Sequence, residues 1–165
     1  MKVSFRLNGE KVETEVEPKD TLLDVIRRLG YKGTKKGCEG EGCGACTVIV
    51  NGRNVYSCMY PAPRINGKEV ITIEGIGNDK LSEVQEELIR NWAFQCGYCT
   101  PGFIIAVTSL IDELKRHKHK IEDYGSLDAF IKSELSSHIC RCTGYVQILE
   151  ATRNLIWKYY DKNKK

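Results

Sequence analysis

The sequence predicts an α+β chain, with a strand-rich N-terminal half and a helical C-terminal half. Three observations carry this. Hydrophobic periodicity is close to two before a Gly/Asn/Asp segment at Gly75-Ile76-Gly77-Asn78-Asp79 and close to 3.6 after it. Two Asn-Gly pairs in the first half, Asn8-Gly9 and Asn51-Gly52, stand between alternating runs. The eight cysteines divide into four on each side of that segment. The expected domains are therefore 1–76 and 77–165, each small enough to benefit from a metal staple.

The elements follow in order. Val3, Phe5 and Leu7 alternate with polar residues, Asn8-Gly9 turns, and Val12, Thr14 and Val16 continue, which reads as a hairpin closed by Pro18. Asp20 is the expected N-cap of a helix through Leu22, Leu23, Ile26 and Leu29, ended by Gly30. A second hairpin is expected from Thr47–Val50, Asn51-Gly52 and Val55–Met59, with a last strand over Val70–Ile73. This order suits a β-grasp, ferredoxin-like domain.

Four helices are expected in the second half. Leu81, Val84, Leu88 and Trp92 mark one face, and Phe103, Val107, Leu110, Ile111 and Leu114 a second. Ser126 should cap a third helix with Leu127, Phe130, Ile131 and Leu135 inward; Ile148, Leu149, Thr152, Ile156 and Tyr159 mark the fourth. Short connections suggest a four-helix bundle. The half also reads as an internal duplication. Cys96-Gly97-Tyr98-Cys99-Thr100-Pro101-Gly102 opens the second helix, and Cys140-Arg141-Cys142-Thr143-Gly144-Tyr145 opens the fourth. With Thr100 as N-cap and Pro101 at N1, each cysteine pair would sit at a helix N-terminus, whose partial positive charge favours thiolates.

Cys38, Cys43, Cys46 and Cys58 read C-x4-C-x2-C-x11-C, the plant-type [2Fe–2S] spacing. Cys96, Cys99, Cys140 and Cys142 read C-x2-C-x40-C-x-C and could close a second four-thiolate site. Gly37, Gly40, Gly42 and Gly44 fill the first loop, where backbone N–H groups could approach cluster sulfurs. Zinc is the competing metal, since Cys43/Cys46 and Cys96/Cys99 have knuckle spacing, but a lone fourth cysteine and a C-x-C suit it less well. A Rieske centre needs two histidine ligands and finds no Cys-x-His here.

Other signals are weaker. His117 and His119 form an H-x-H among cations and read as a solvated loop; His138, two before Cys140, reads as a turn residue. Gly75-Ile76-Gly77 lacks the third glycine of a dinucleotide fingerprint. No nucleophile–base constellation stands out, so the chain should hold no substrate site of its own. At 41% hydrophobic content a packed core is feasible, and a net charge of +3 is too mild to argue for nucleic acid. Two clusters of about −2 each would bring the holoprotein near neutrality. Met1–Val12 carries Lys2, Arg6, Glu10 and Lys11, so no signal peptide is expected, and no apolar run approaches the ~20 residues of a membrane span. Cysteine-rich metal sites then point to a reducing, cytoplasmic compartment.

Three motifs resemble one family. Gly37-Cys38-Glu39-Gly40-Glu41-Gly42-Cys43-Gly44-Ala45-Cys46-Thr47-Val48, Ala93-Phe94-Gln95-Cys96-Gly97-Tyr98-Cys99-Thr100-Pro101-Gly102 and Ile139-Cys140-Arg141-Cys142-Thr143-Gly144-Tyr145 are similar, in this order, to those of the small iron–sulfur subunit of the molybdenum hydroxylases. That family includes xanthine dehydrogenase, aldehyde oxidoreductase and aerobic carbon monoxide dehydrogenase. The resemblance implies two [2Fe–2S] clusters relaying single electrons from a molybdopterin in a large subunit to FAD in a medium subunit. It also implies assembly as a dimer of heterotrimers, and a pterin contact for Gln95. Tyr56–Pro63 and the loops around both cysteine pairs of the helical half are the expected interfaces. Two departures stand out: surplus length around Leu114–Gly125, and Ser137-His138 where the family commonly has Gly-Asn. A free ferredoxin-like shuttle is the alternative within redox proteins, and a zinc-stapled interaction module the alternative outside them.

Overall fold

The computed structural model describes residues 1–77, 80–116, 121 and 124–161. His117 and His119 lie outside the described residues, as does much of the surplus segment. Five strands form one mixed sheet in the order β2-β1-β5-β3-β4. The hairpin β1 (Lys2–Leu7) and β2 (Glu10–Glu15) pairs antiparallel from Lys2 opposite Glu15 to Leu7 opposite Glu10. β3 (Thr47–Val50) and β4 (Arg53–Tyr56) form the second hairpin. β5 (Glu69–Ile71) joins them, parallel to β1 and antiparallel to β3. Both hairpin turns place Asn and Gly at positive φ (Asn8 52°, Gly9 88°; Asn51 48°, Gly52 76°), the tight turn that matches strand twist.

Helix α1 (Leu22–Arg28) packs its apolar face on the sheet, burying Leu22, Val25 and Ile26 with Val3, Phe5, Leu7, Val48 and Val70. Its N-cap is Thr21, not the expected Asp20. Thr21 Oγ1 accepts from Asp24 N at 3.2 Å while Asp24 Oδ2 accepts from Thr21 N at 3.0 Å, a reciprocal box that satisfies two free helix donors. Asp20 serves the preceding turn, accepting from Glu17 N at 3.0 Å and Arg28 at 2.7 Å.

Two strands are shorter than expected. β4 stops at Tyr56 because buried Ser57 turns back, its hydroxyl donating to the Cys46 carbonyl at 2.7 Å. β5 stops at Ile71 because Asn8 Oδ1 captures Thr72 N at 2.8 Å, after which Ile73–Gly75 curls into a 3-10 turn. A further 3-10 turn, Ala62–Ile65, was not legible in the sequence.

The second half holds α2 (Glu83–Arg90), α3 (Thr100–Arg116), α4 (Leu127–Leu135) and α5 (Val146–Asp161). They share a core of Val84, Leu88, Phe103, Val107, Ile111, Phe130, Ile131, Ile148 and Leu155, against which Ile73 and Ile76 also pack. Ser82 caps α2 with Gln85, and Ser126 caps α4 as expected. Leu81 and Trp92 leave the predicted α2 face. Leu81 precedes the cap, and Trp92 follows the C-cap in a left-handed conformation (φ 50°), 82% exposed. The exposed faces of α2 and α5 are tied by Glu83 to Lys158 and Tyr159. Arg153 of α5 grips Asp128 of α4 at 2.7 and 2.9 Å.

The two halves meet where α3 begins. A Cβ on Gly102 would stand 2.3 Å from the Gly44 carbonyl oxygen, so only glycine lets the first turn of α3 lie on the Cys43–Cys46 loop. Tyr98 Oη donates to the Lys36 carbonyl at 2.5 Å, and Ile139 N donates to the Cys43 carbonyl at 2.9 Å. No described helix is long and apolar enough to cross a membrane.

Candidate metal centres

All eight cysteines are free thiols, grouped as the sequence divides them. In the first site, one loop between α1 and β3 carries Cys38, Cys43 and Cys46, and the turn after β4 brings Cys58 to them. The Cys46 and Cys58 sulfurs lie 3.3 Å apart, and Cys43 N points at Cys38 Sγ from 3.5 Å. A Cβ on Gly37 would stand 2.9 Å from Cys43 Sγ, so the loop wraps the sulfurs closely. Gly40, Gly42 and Gly44 all have positive φ, which turns the backbone repeatedly around one centre. Backbone N–H groups of Cys43, Glu41 and Gly40 lower the Cys38 thiol to about 7. Burial, with the Cys46 thiol beside it, pushes Cys58 up to about 12. Burial also raises Cys43, with the neighbouring Cys38 and Cys46 adding to the rise. Packing thiolates together without a metal is unfavourable, and a cation at the centre reverses that sign.

The second site has a different construction. Cys96 and Cys99 lie in the loop entering α3, Cys140 and Cys142 in the loop entering α5, and the two loops face each other. Cys99 pairs with Cys140, and burial, the larger cause, together with that contact pushes Cys99 up to about 12. Contact with Cys96 raises Cys142. Burial alone would raise Cys140, but the Thr143 hydroxyl, 3.2 Å from its sulfur, and the N–H groups of Thr143 and Cys142 bring it below the ordinary thiol value. Thr143 Oγ1 also accepts from Tyr145 N at 3.2 Å, and its single hydrogen can be given to a Cys140 thiolate. Tyr145 Oη accepts from Cys140 N at 2.9 Å. Thr100 does not cap α3 with its hydroxyl; that oxygen is buried and has no hydrogen-bond partner among the described residues.

The donor chemistry of both sites fits an iron–sulfur cluster. Each offers four unbridged thiols in closely paired contacts with backbone N–H groups beside them. Among the described residues no group of three or more His, Cys, Asp or Glu has the arrangement needed to hold a single metal ion. The sequence reading of these loops missed their neighbours. Ser57 ties β4 to Cys46, Thr143 donates to Cys140, and His138 is no surface turn residue. The residue is 5% exposed, its pKa is lowered by burial to about 4, and it lies between the two sites, against Thr47 and two positions before Cys140. The C-x-C-Thr spacing was the one sequence signal for Thr143; the Ser137-His138 departure marked His138 without giving it a role. Gln95 is exposed beside Cys96, and no hydrogen bond to its side chain occurs among the described residues.

Comparison with known proteins settles the kind of site. A family model described as "2Fe-2S iron-sulfur cluster binding domain" matches residues 5–69, and one described as "[2Fe-2S] binding domain" matches residues 72–153. The chain is 38% identical over 153 residues to the nicotinate dehydrogenase small FeS subunit of Eubacterium barkeri, covering 92% of each. This chain belongs to the iron–sulfur subunits of the molybdenum hydroxylases. It is also 40% identical over 159 residues to the aldehyde oxidoreductase iron-sulfur-binding subunit PaoA of Escherichia coli K12, covering 92% of this chain and 69% of that one. In three dimensions it matches a chain of quinoline 2-oxidoreductase from Pseudomonas putida 86, with a TM-score of 0.83 at 30% identity, covering 100% of this chain and 98% of that one. As a member of this family the chain carries two [2Fe–2S] clusters and transfers electrons as the subunit of an oxidoreductase.

Proposed function

We propose that Cys38, Cys43, Cys46 and Cys58 hold one cluster and Cys96, Cys99, Cys140 and Cys142 the other. Electrons then pass singly between a molybdopterin in a large partner subunit and FAD in a medium one. The observation that carries this is the convergence of eight unbridged thiols into two sets of four with none left over. Bound clusters supply one-electron redox chemistry; the protein holds the thiolates, excludes water and directs N–H and O–H groups at sulfur. The domain division 1–76 and 77–165 is part of the reading, supported by two apolar cores. So are a β-grasp first domain and a four-helix bundle in the second, which the shared core of α2–α5 favours.

The remaining assignments concern the partners. Gln95 is exposed and its amide has no hydrogen-bond partner among the described residues, as suits a residue that meets a pterin on another chain. Exposed Met59 within 56–63, and exposed Tyr98, Ile139 and Val146 around the second site, suit burial against those subunits. A dimer of heterotrimers, in a cytoplasmic compartment that keeps thiols reduced, completes the reading. Relatives are named for aldehyde, nicotinate and quinoline oxidation, so the substrate is set by the large subunit.

The test is purification at native abundance with identification of co-purifying chains and metal analysis. The expected result is a molybdenum subunit, a flavin subunit and about four iron per copy of this chain. Stoichiometric zinc without iron would overturn the reading. In the assembled complex Gln95→Ala should slow molybdenum reoxidation moderately, as loss of one neutral hydrogen bond of ~0.5–1.5 kcal/mol implies, with both clusters retained.

A further inference from the structure

We propose that His138 is a positioning residue: its imidazole locks the ligand loop of the first cluster site to the segment that enters the second. The inference rests on the reading of two clusters given above and adds a residue to it.

The hydrogen-bond logic fixes how the ring acts. His138 Nε2 lies 2.9 Å from Thr47 Oγ1, and Thr47 Oγ1 lies 2.6 Å from the Gly44 carbonyl oxygen. A hydroxyl has one hydrogen, and a carbonyl can only accept, so the Thr47 hydrogen is committed to Gly44. Nε2 must therefore be the donor. The result is a directed relay from imidazole to hydroxyl to carbonyl, ending on the residue between Cys43 and Cys46. Nδ1 is left as an acceptor, with Ser137 Oγ at 3.5 Å.

Packing places the relay with little freedom. A Cβ on Gly44 would come within 2.5 Å of the ring, so the imidazole lies directly on the loop backbone. Phe103 of α3 flanks it at a centroid distance of 5.3 Å, and Tyr56 at the end of β4 meets it edge-on at 6.2 Å. The same short segment is tied by its backbone. His138 N donates to the Leu135 carbonyl at 3.0 Å, anchoring it to the end of α4, and Ile139 N donates to the Cys43 carbonyl at 2.9 Å. Cys140 is the next residue. Thus Cys43, Gly44 and Thr47 on one side are linked to His138 and Ile139 on the other, immediately before a thiol of the second site.

A space-filling role alone would be met by any ring of similar size. The relay requires a donor at one position. Without it, Thr47 and the Gly44 carbonyl lose a fixed orientation, the loop N–H groups that stabilise a reduced cluster become less well aimed, and the first cluster's potential falls. The distance and orientation between the two sites would also loosen.

The experiment uses the iron-loaded chain with His138→Phe, His138→Gln, Thr47→Val and the His138→Phe/Thr47→Val double variant. Two quantities are read: the midpoint potential of each cluster by redox titration, and the magnetic coupling between them in the EPR spectrum of fully reduced protein. His138→Phe and Thr47→Val should each change the first cluster's reduction equilibrium by about tenfold toward the oxidised form, ~59 mV for one electron, and reduce the coupling. The double variant should show no more than the larger single effect, because one relay is being broken twice. His138→Gln, which keeps an N–H donor, should recover at least half. Wild-type potentials and coupling in both fully loaded single variants overturn the proposal, as do additive effects in the double variant or failure of glutamine to recover more than phenylalanine. Should His138→Phe fail to fold, the near-isosteric Thr47→Val decides by the same readings. A wild-type chain that holds no iron would overturn the cluster assignment itself, a result distinct from unchanged potentials in loaded variants.

Discussion

Between Cys38 and Cys58, one glycine-bearing loop and the turn after β4 bring four thiols together within a short stretch of chain, and the helical half braces that loop only from outside through Gly102, His138 and Ile139. Between Cys96 and Cys142, two helix entrances far apart in sequence must be brought face to face by α2–α5 before four thiols meet. Cys46 is buried and its three companions half-buried, whereas Cys96 and Cys142 are exposed. A local site is made by backbone turns and can be enclosed; a site between helix ends depends on packing and keeps an open side. That open side is where Gln95 stands.

The comparison can be broken most directly at the ligands. Cys43→Ser should abolish only the first cluster and Cys99→Ser only the second, lowering iron from about four to about two per chain and removing one of two EPR signals. Loss of both signals from either folded variant would show that the two sites are not separately built.

The contact between the sites comes next. Gly102→Ala forces a methyl group into the Gly44 carbonyl, and overpacking of this kind costs ~1–3 kcal/mol. A lowered Tm is expected, with disturbance of the first cluster's EPR signal although residue 102 lies three positions after Cys99 of the second site. An unchanged first signal would mean that α3 does not support the loop.

A finer difference is the hydroxyl aimed at Cys140. Thr143→Val removes the donor with little change in shape, and should lower the second cluster's midpoint potential while leaving the first unchanged; Thr143→Ser should restore it. Redox titration followed by EPR separates the two. Equal shifts in both clusters would contradict the separation of the sites.

The smallest effect is expected far from either. Glu83, held below its ordinary pKa of 4.5 by Lys158 and Tyr159, ties α2 to α5. Its side chain is 36% exposed, so solvent screening limits Glu83→Gln to about 0.5–1 kcal/mol at pH 7. Because the folded pKa is depressed, the contribution is complete above pH 4.5 and disappears as pH falls through the lowered value. Thermal melts of wild type and variant should therefore converge in acid.

Much of this protein was legible in its sequence because the signals are local. Alternation and Asn-Gly turns specify both hairpins, since backbone twist admits few two-residue turns. Ser126 and the apolar spacing of α3, α4 and α5 specify three helices by capping and periodicity. Cysteine spacing separates the two thiol sets because a short loop can present ligands only to its own neighbourhood. Where local signals compete, the sequence misled: Thr21 rather than Asp20 caps α1, because the reciprocal bond with Asp24 satisfies more backbone donors. Trp92, which fits the α2 periodicity, lies outside the helix in solvent.

What the tertiary structure alone decided is how the two sites touch. The seating of Gly102 on the Gly44 carbonyl and the burial of His138 against Thr47 join residues 58 and 91 positions apart. No spacing rule reaches across such separations. They arise when two apolar cores close against each other, and only then do a glycine, a threonine and a histidine acquire a joint role.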